Sequence, residues 1–283
     1  MDADFSYVDK IHYFYKNQII NEDYHKQVIH YHNGYEIMFI ANADNKLFIK
    51  DKTYLMKSKQ LLLIPPYTIH TINYNSETKY SRYVLTIEND YLLPLLTTVN
   101  GEFILYKIDN IQSHLLDLDI PVFNKIHAEF INLEFHFNNF LSNKNLENEI
   151  RMLLTVASLL VDIYKIIQNP EFNSQNIESG NNIIQNVINY LNNNYMESIS
   201  LEKIEKLFHT SKYYICHRFK ETTGTSIINF LNLIRVTEAQ KLLSENKYSI
   251  SEISYRCGFN NIQHFYRIYK KITDCTPGKY KNR

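Results

Sequence analysis

Two stretches in the last third of the chain, residues 201–222 and 250–272, repeat one pattern: a short helix, a tight turn and a second helix whose outer face is polar, aromatic and basic. In the first, Leu201, Ile204, Leu207 and Phe208 fall at i, i+3, i+6 and i+7, a stripe expected to be buried. Ser200 or Ser198 can cap its start. His209-Thr210-Ser211 breaks the pattern, and Ser211 is a suitable N-cap for a helix running to Thr222 and stopping before Gly224. On that helix Ile215 and Phe219 face inward, which leaves Tyr213, Cys216, His217 and Lys220 on the opposite face.

The second stretch repeats the arrangement. Ile250 and Ile253 are expected to be buried, Cys257-Gly258-Phe259 forms the turn, and Phe265 and Tyr269 face inward. Ile262, Gln263, Tyr266, Arg267 and Lys270 then point outward. A helix-turn-helix unit reads DNA by laying its second helix in the major groove, so two units imply two adjacent groove contacts. Periodicity alone also allows a helical module that binds only proteins, with solvated basic faces.

Charge divides the chain in the same place. Residues 181–283 hold fifteen Lys and Arg against eight Asp and Glu, so a formal net charge of zero hides a basic C-terminal part and an acidic remainder. That asymmetry is expected when one part meets a polyanion.

These residues resemble the DNA-binding domain of the AraC/XylS family of bacterial transcription regulators over about residues 183–283. The strongest portion is residues 253–271, I-S-Y-R-C-G-F-N-N-I-Q-H-F-Y-R-I-Y-K-K, followed by T-P-G-K-Y. It is similar to the family's Gly-Phe turn, its aromatic-x-Arg-x-aromatic-Lys reading helix and its terminal Pro-x-x-Tyr. The upstream stretch matches through Phe219-Lys220, Gly224, and Arg235, Ala239 and Leu242-Leu243 on the joining helix. The chain departs from the pattern at Arg218, usually apolar, at Asp274, where Gly is common, and at Lys281, where Arg is common.

The first part begins with strands. Residues 28–41 place His30, His32, Gly34, Glu36, Met38 and Ile40 on one face of an extended segment, and residues 47–50, 54–56, 61–64 and 80–88 read as further strands. Many short strands suggest a barrel or jelly roll. His30-x-His32-x3-Glu36, with Pro66-x3-His70 downstream, resembles the metal-binding constellation of the cupin barrel, the fold used by the effector domain of AraC-type regulators. The glycines of the cupin motifs are missing. The sequence leaves open a metal site, an effector pocket or a retained scaffold. The expectation adopted is a pocket for a small organic effector, walled by His30, His32, Glu36 and His70 with Tyr67 and Tyr83, holding neither metal nor cofactor.

Two helical patterns follow. One carries Val122, Ile126, Phe130, Leu133, Phe137 and Phe140; the other carries Leu146, Ile150, Leu153, Leu154, Ala157, Leu160, Val161 and Tyr164. The second is apolar over more than one stripe, so one face is expected against the barrel and another against a second subunit or the chain's own core. Residues 168–180, rich in Asn, Ser, Glu and Pro, read as a linker. Only six glycines serve the whole chain, so turns that favour a positive φ must draw on Asn, Asp or Lys.

The expected organisation is a cupin-like all-β barrel (about 20–100) with helices (about 120–167) making up an effector and dimerisation domain over residues 1–167, a linker at 168–180, and an all-α tandem helix-turn-helix domain over 181–283. The function this implies is a cytosolic, homodimeric transcription regulator of promoter DNA that responds to a small effector and has RNA polymerase as a further partner. It is not expected to be an enzyme. The alternative is a metal-dependent cupin enzyme with a helical appendage. Three cysteines without C-x-x-C spacing fit a reducing compartment.

Overall fold

The computed structural model describes residues 6–8, 11–19, 29–74, 79–88, 91–92, 96–97, 101–174 and 182–281. The described residues of its first part form nine strands: β1 (Ser6–Val8), β2 (Ile11–Ile19), β3 (Gly34–Asn42), β4 (Asn45–Ile49), β5 (Lys52–Met56), β6 (Gln60–Ile64), β7 (His70–Tyr74), β8 (Lys79–Glu88) and β9 (Leu115–Asp117). All pairings are antiparallel. One sheet runs β1-β2-β8-β3-β6-β9 and the other β5-β4-β7. Met38, Ile40, Leu47, Ile49, Leu62 and Val84 fill the space between the sheets, as strand alternation requires of a closed sandwich.

The outer face of the large sheet is covered by α1 (Glu102–Asp109), α2 (Ile120–Ser142) and α3 (Leu146–Ile167). Tyr35, Ile37 and Phe39 of β3 meet Ile126, Phe130 and Phe137 of α2 in a second core. The α2 stripe is buried as its periodicity predicts, with Asp119 capping its start. On α3 the buried stripe runs through Met152, Val156, Leu159, Ile163 and Ile166, which leaves Leu146, Ile150, Leu154 and Val161 exposed.

Among the described residues of the remainder are seven helices: α4 (Asn182–Asn194), α5 (Leu201–Phe208), α6 (Lys212–Thr223), α7 (Ile227–Ser244), α8 (Ile250–Arg256), α9 (Ile262–Thr273) and α10 (Pro277–Lys281). Helix α7 is the frame. Its Phe230, Leu231 and Ile234 pack with α4, α5 and α6, whereas Val236, Ala239 and Leu243 pack with α8 and α9, so one apolar helix fixes both units. Arg235, nearly buried on α7, donates to the carbonyls of Tyr195 and Glu197 at 2.8 and 2.7 Å and lies over the Phe259 ring, tying the end of α4 to the second turn.

The two parts share a core. Phe48 points out of β4, away from the sandwich, and with Ile29 and Ile69 joins Ile184, Val187 and Phe230. Burying a ring of this size stabilises by about 1.5–3 kcal/mol.

Three sequence expectations need correction. Leu207 is 48% exposed: the inward stripe of α5 runs from Ile204 to Phe208, four apart, with Phe208 against Tyr190 of α4, and Leu207 falls beside it. The extended segment expected from residue 28 holds an isolated bridge from His30 to His70 and becomes a strand only at Gly34, after a bend at residue 33; Val28 lies outside the described residues. The linker expected from residue 168 is pinned at its start. Pro170–Phe172 forms a 3₁₀ turn, and Ser174 donates its N–H to the Leu115 carbonyl at 3.0 Å; residues 175–180 lie outside the described residues.

Candidate nucleic-acid interface and histidine cluster

The first unit is built from α5 and α6. Ser200 accepts from the Lys203 N–H, and His209 closes α5 at φ 49°. Ser211 occupies the N-cap of α6 without a side-chain cap bond; the Lys212 N–H is taken instead by Glu205 of α5 at 3.0 Å. Ile215 and Phe219 are buried, so helix geometry turns Tyr213, His217 and Lys220 outward, and all three are exposed. Cys216 is half-buried, and burial raises its thiol pKa, against the opposing pull of Lys212, so it is a small packed residue, not a thiolate.

The second unit is built from α8 and α9. Ser249 and Glu252 form a capping box on α8. Asn261 caps α9 by accepting from the Gln263 and His264 N–H groups. Phe265 and Tyr269 are buried; Gln263, Tyr266, Arg267 and Lys270 are exposed, and Ile262 is half-exposed. Between the helices Gly258 sits at φ 80°, where a Cβ would come within 2.6 Å of the Tyr195 carbonyl oxygen.

Four further exposed residues border these faces: Tyr214 and Arg218 on α6, His264 and Lys271 on α9. Their positions follow from the helical wheel once the inward pairs are fixed. Arg218 leaves its apolar family position harmless by lying at the surface, where it pairs with Glu221 at 2.7 Å. Glu221 also lies 3.7 Å from His217.

In the β-rich part the structure brings three expected residues together. Ligand atoms of His32, Glu36 and His70 all lie within 4.8 Å of one another. His30 adjoins them, its ring 4.3 Å from that of His70 and its backbone bridged to His70 in both directions. The other two do not share the cluster. Tyr83 pairs in register with Phe39, on the sheet face opposite Glu36, and stacks with Tyr15 beneath α2. Tyr67 bonds through its N–H to the His32 carbonyl, but its hydroxyl reaches across to Tyr280 at 2.9 Å.

The tautomers of the cluster follow from its backbone. Nδ1 of His32 faces the Gly34 carbonyl and Nδ1 of His70 the Thr68 carbonyl, each at 2.8 Å, so in both rings Nδ1 donates and Nε2 turns toward Glu36. Nε2 of His32 stands 3.0 Å from Glu36 Oε2 at a poor hydrogen-bond angle, while His70 Nε2 and Glu36 Oε1 are buried with no hydrogen-bond partner among the described residues. Burial alone would raise Glu36, yet the adjacent His32 and the surrounding imidazoles hold it well below the usual carboxylate range. Burial, with His30 beside it, pushes His70 down to about 3. The donor set of two imidazoles oriented by backbone carbonyls plus one carboxylate fits a divalent transition metal.

These features define a β-sandwich joined to a tandem helix-turn-helix frame. Residues 18–117 match the model of the AraC-like ligand binding domain and residues 204–283 that of a helix-turn-helix domain. An uncharacterised HTH-type transcriptional regulator from the cgkA 5′ region of Pseudoalteromonas carrageenovora is 31% identical over 114 residues, which is 40% of this chain and 68% of that protein. The uncharacterised HTH-type transcriptional regulator YdiP of Escherichia coli is 34% identical over 126 residues, 44% of this chain and 42% of the relative. The match thus spans less than half of that relative's length. Among solved structures, a protein of unknown function from Listeria innocua is 32% identical over 35% of this chain and 95% of its own, with a TM-score of 0.34. ToxT from Vibrio cholerae is 16% identical over 97% and 98%, with a TM-score of 0.38. The chain belongs to the AraC/XylS family of HTH-type transcription regulators. No helix among the described residues is long and apolar enough to cross a membrane.

Proposed function

We propose that this chain is a sequence-specific regulator of transcription that reads promoter DNA with α6 and α9, residues 181–283 forming the DNA-binding domain and residues 1–167 a sensing and dimerisation domain. The observation that carries the reading is the pair of exposed faces on one rigid frame. Tyr213, His217 and Lys220 stand on one helix and Gln263, Tyr266, Arg267 and Lys270 on the other, while α7 buries both inner faces. Lys220 and Lys270 suit phosphates, and Arg267, Gln263 and His217 suit base edges.

The basic balance of residues 181–283 supports a polyanionic partner. The exposed apolar stripe on α3 supports pairing with a second copy, RNA polymerase is the further partner of such a regulator, and the cytosol is its place. The two outward faces on one helix-turn-helix frame support a regulator over an enzyme. The test is fluorescence anisotropy with duplexes selected in vitro from a random pool. A tight, salt-sensitive, sequence-dependent complex supports the reading, and equal affinity for selected and scrambled duplexes refutes it.

A further inference from the structure

We propose that His32, Glu36 and His70 hold one divalent transition-metal ion, and that the ion sets the posture of α9 and α10 through Tyr31 and Tyr67, a regulatory link resting on the reading above. The ligand set is preorganised, with each imidazole aimed by a backbone carbonyl through Nδ1 and each Nε2 facing the carboxylate. A tetrahedral ion with bonds of about 2.0–2.2 Å holds its ligand atoms roughly 3.4 Å apart, so it would part His32 Nε2 from Glu36 Oε2, now 3.0 Å apart, and draw in the wider pairs of the cluster. His30 or water can complete the shell.

That rearrangement cannot stay local. Tyr31 lies between the two imidazoles of the 30–32 segment, and its ring leaves the β-rich part to lie near Thr237, Tyr280 and Cys275. Tyr67 is bonded through its N–H to the His32 carbonyl and sits beside Thr68, whose carbonyl orients His70. Its hydroxyl meets that of Tyr280 on α10, whose ring in turn contacts Tyr269, the buried inner residue of α9. Tyr67 holds φ at 58°, a left-handed conformation unusual for a tyrosine and retained only where neighbours fix the backbone on both sides. Both routes therefore converge on Tyr280, against the inner face of the second reading helix, and the Tyr67 hydroxyl supplies a hydrogen bond at that junction. Helix α6 meets this region through apolar packing, Ile29 and Ile69 sharing a core with Phe230 and Phe219, whereas the hydrogen-bonded route leads to the second of the two groove contacts.

The experiment uses the full chain, freed of metal with a chelator, with Co²⁺ as the probe and its visible d–d absorption as the readout. One equivalent should bind. Glu36→Gln, which preserves shape, should weaken binding about ten-fold or more, and His70→Gln should abolish it. Hydrogen exchange then reads the link without any DNA. Zn²⁺ should slow amide exchange across residues 262–281 by about five-fold, and Tyr67→Phe should keep the Co²⁺ spectrum while losing that protection. Sub-stoichiometric Co²⁺, or a spectrum unchanged in Glu36→Gln, overturns the site. Protection confined to residues 29–74, or retained in full in Tyr67→Phe, overturns the link. Neither result depends on DNA binding, so failure of the regulator reading would be seen separately, in the anisotropy experiment.

Discussion

Gly224 and Asp274 close the two reading helices in the same left-handed conformation, at φ 77° and 56°, and each donates its N–H to the carbonyl four residues back, Lys220 and Lys270. The repeat seen in the sequence thus extends to its end caps, but only one uses glycine. Asp at positive φ stores strain that glycine does not. Asp274→Gly should stabilise the chain by about 0.5–1 kcal/mol, read as a rise in denaturant midpoint at unchanged slope. A lower midpoint would contradict the assignment of Asp274 as a strained cap.

The turn of the second unit allows no such exchange. An added Cβ at Gly258 would stand 2.6 Å from the Tyr195 carbonyl oxygen and 2.8 Å from Met196 Cα, both backbone, at a φ that also disfavours alanine. Arg235 holds that same carbonyl. Gly258→Ala should cost roughly 2 kcal/mol or more, and Arg235→Met a similar amount by orphaning two carbonyls. Urea unfolding checks both, and a change under about 0.5 kcal/mol in either would show that the junction is looser than described.

How much of this was legible in the sequence depends on whether the signal was local. Helices α5, α6, α8 and α9 were readable because Ile215 with Phe219 and Phe265 with Tyr269 set each inner face at i, i+4. The scarcity of glycine pointed to non-glycine residues at positive φ, and Lys50, His209, Asn246 and Asp274 adopt it. The His and Glu of the cluster were readable from alternation and motif spacing. Tyr83 was not, because its face depends on pairing β8 with β3, and one step of register moves a side chain through the sheet. Nor was the outward turn of Phe48 onto the helical part: an apolar residue in a strand does not reveal which neighbour covers it.

Helix α3 carries its second apolar stripe in the open, with Leu154 63% exposed beside Ile150 and Val161. If a second copy covers it, Leu154→Glu should yield a monomer with melting behaviour near wild type, measured by sedimentation velocity and circular dichroism. A wild-type chain that sediments as a monomer at high concentration would remove the dimer from the account.

The pH dependence of stability should bear the mark of His114. Burial, with the nearby charge of Lys50, pushes this imidazole down to about 4, while its Nδ1 faces the Leu63 carbonyl at 2.9 Å. A base depressed in the folded state stays neutral while the unfolded chain takes up a proton. Its contribution is therefore complete above about pH 6.5 and is lost as pH falls toward 4, by at most about 3 kcal/mol. Replacing His114 with Gln should flatten the slope of unfolding free energy between those limits; an unchanged slope would place the acid sensitivity elsewhere.

Whether α6 and α9 read DNA turns on Arg267 and His217. Both are exposed, one on each outward face, and neither contributes to the buried cores, so their loss should leave folding intact. Affinity of the full chain for a selected duplex, measured by fluorescence anisotropy at fixed salt, should fall by about 1–3 kcal/mol in Arg267→Ala, with relaxed preference at the base it reads. His217→Ala should weaken binding at the adjacent groove segment, and Lys220→Ala and Lys270→Ala should weaken all sequences alike and lower the salt slope. Unchanged affinity in both Arg267→Ala and His217→Ala, with the fold intact, would contradict the account.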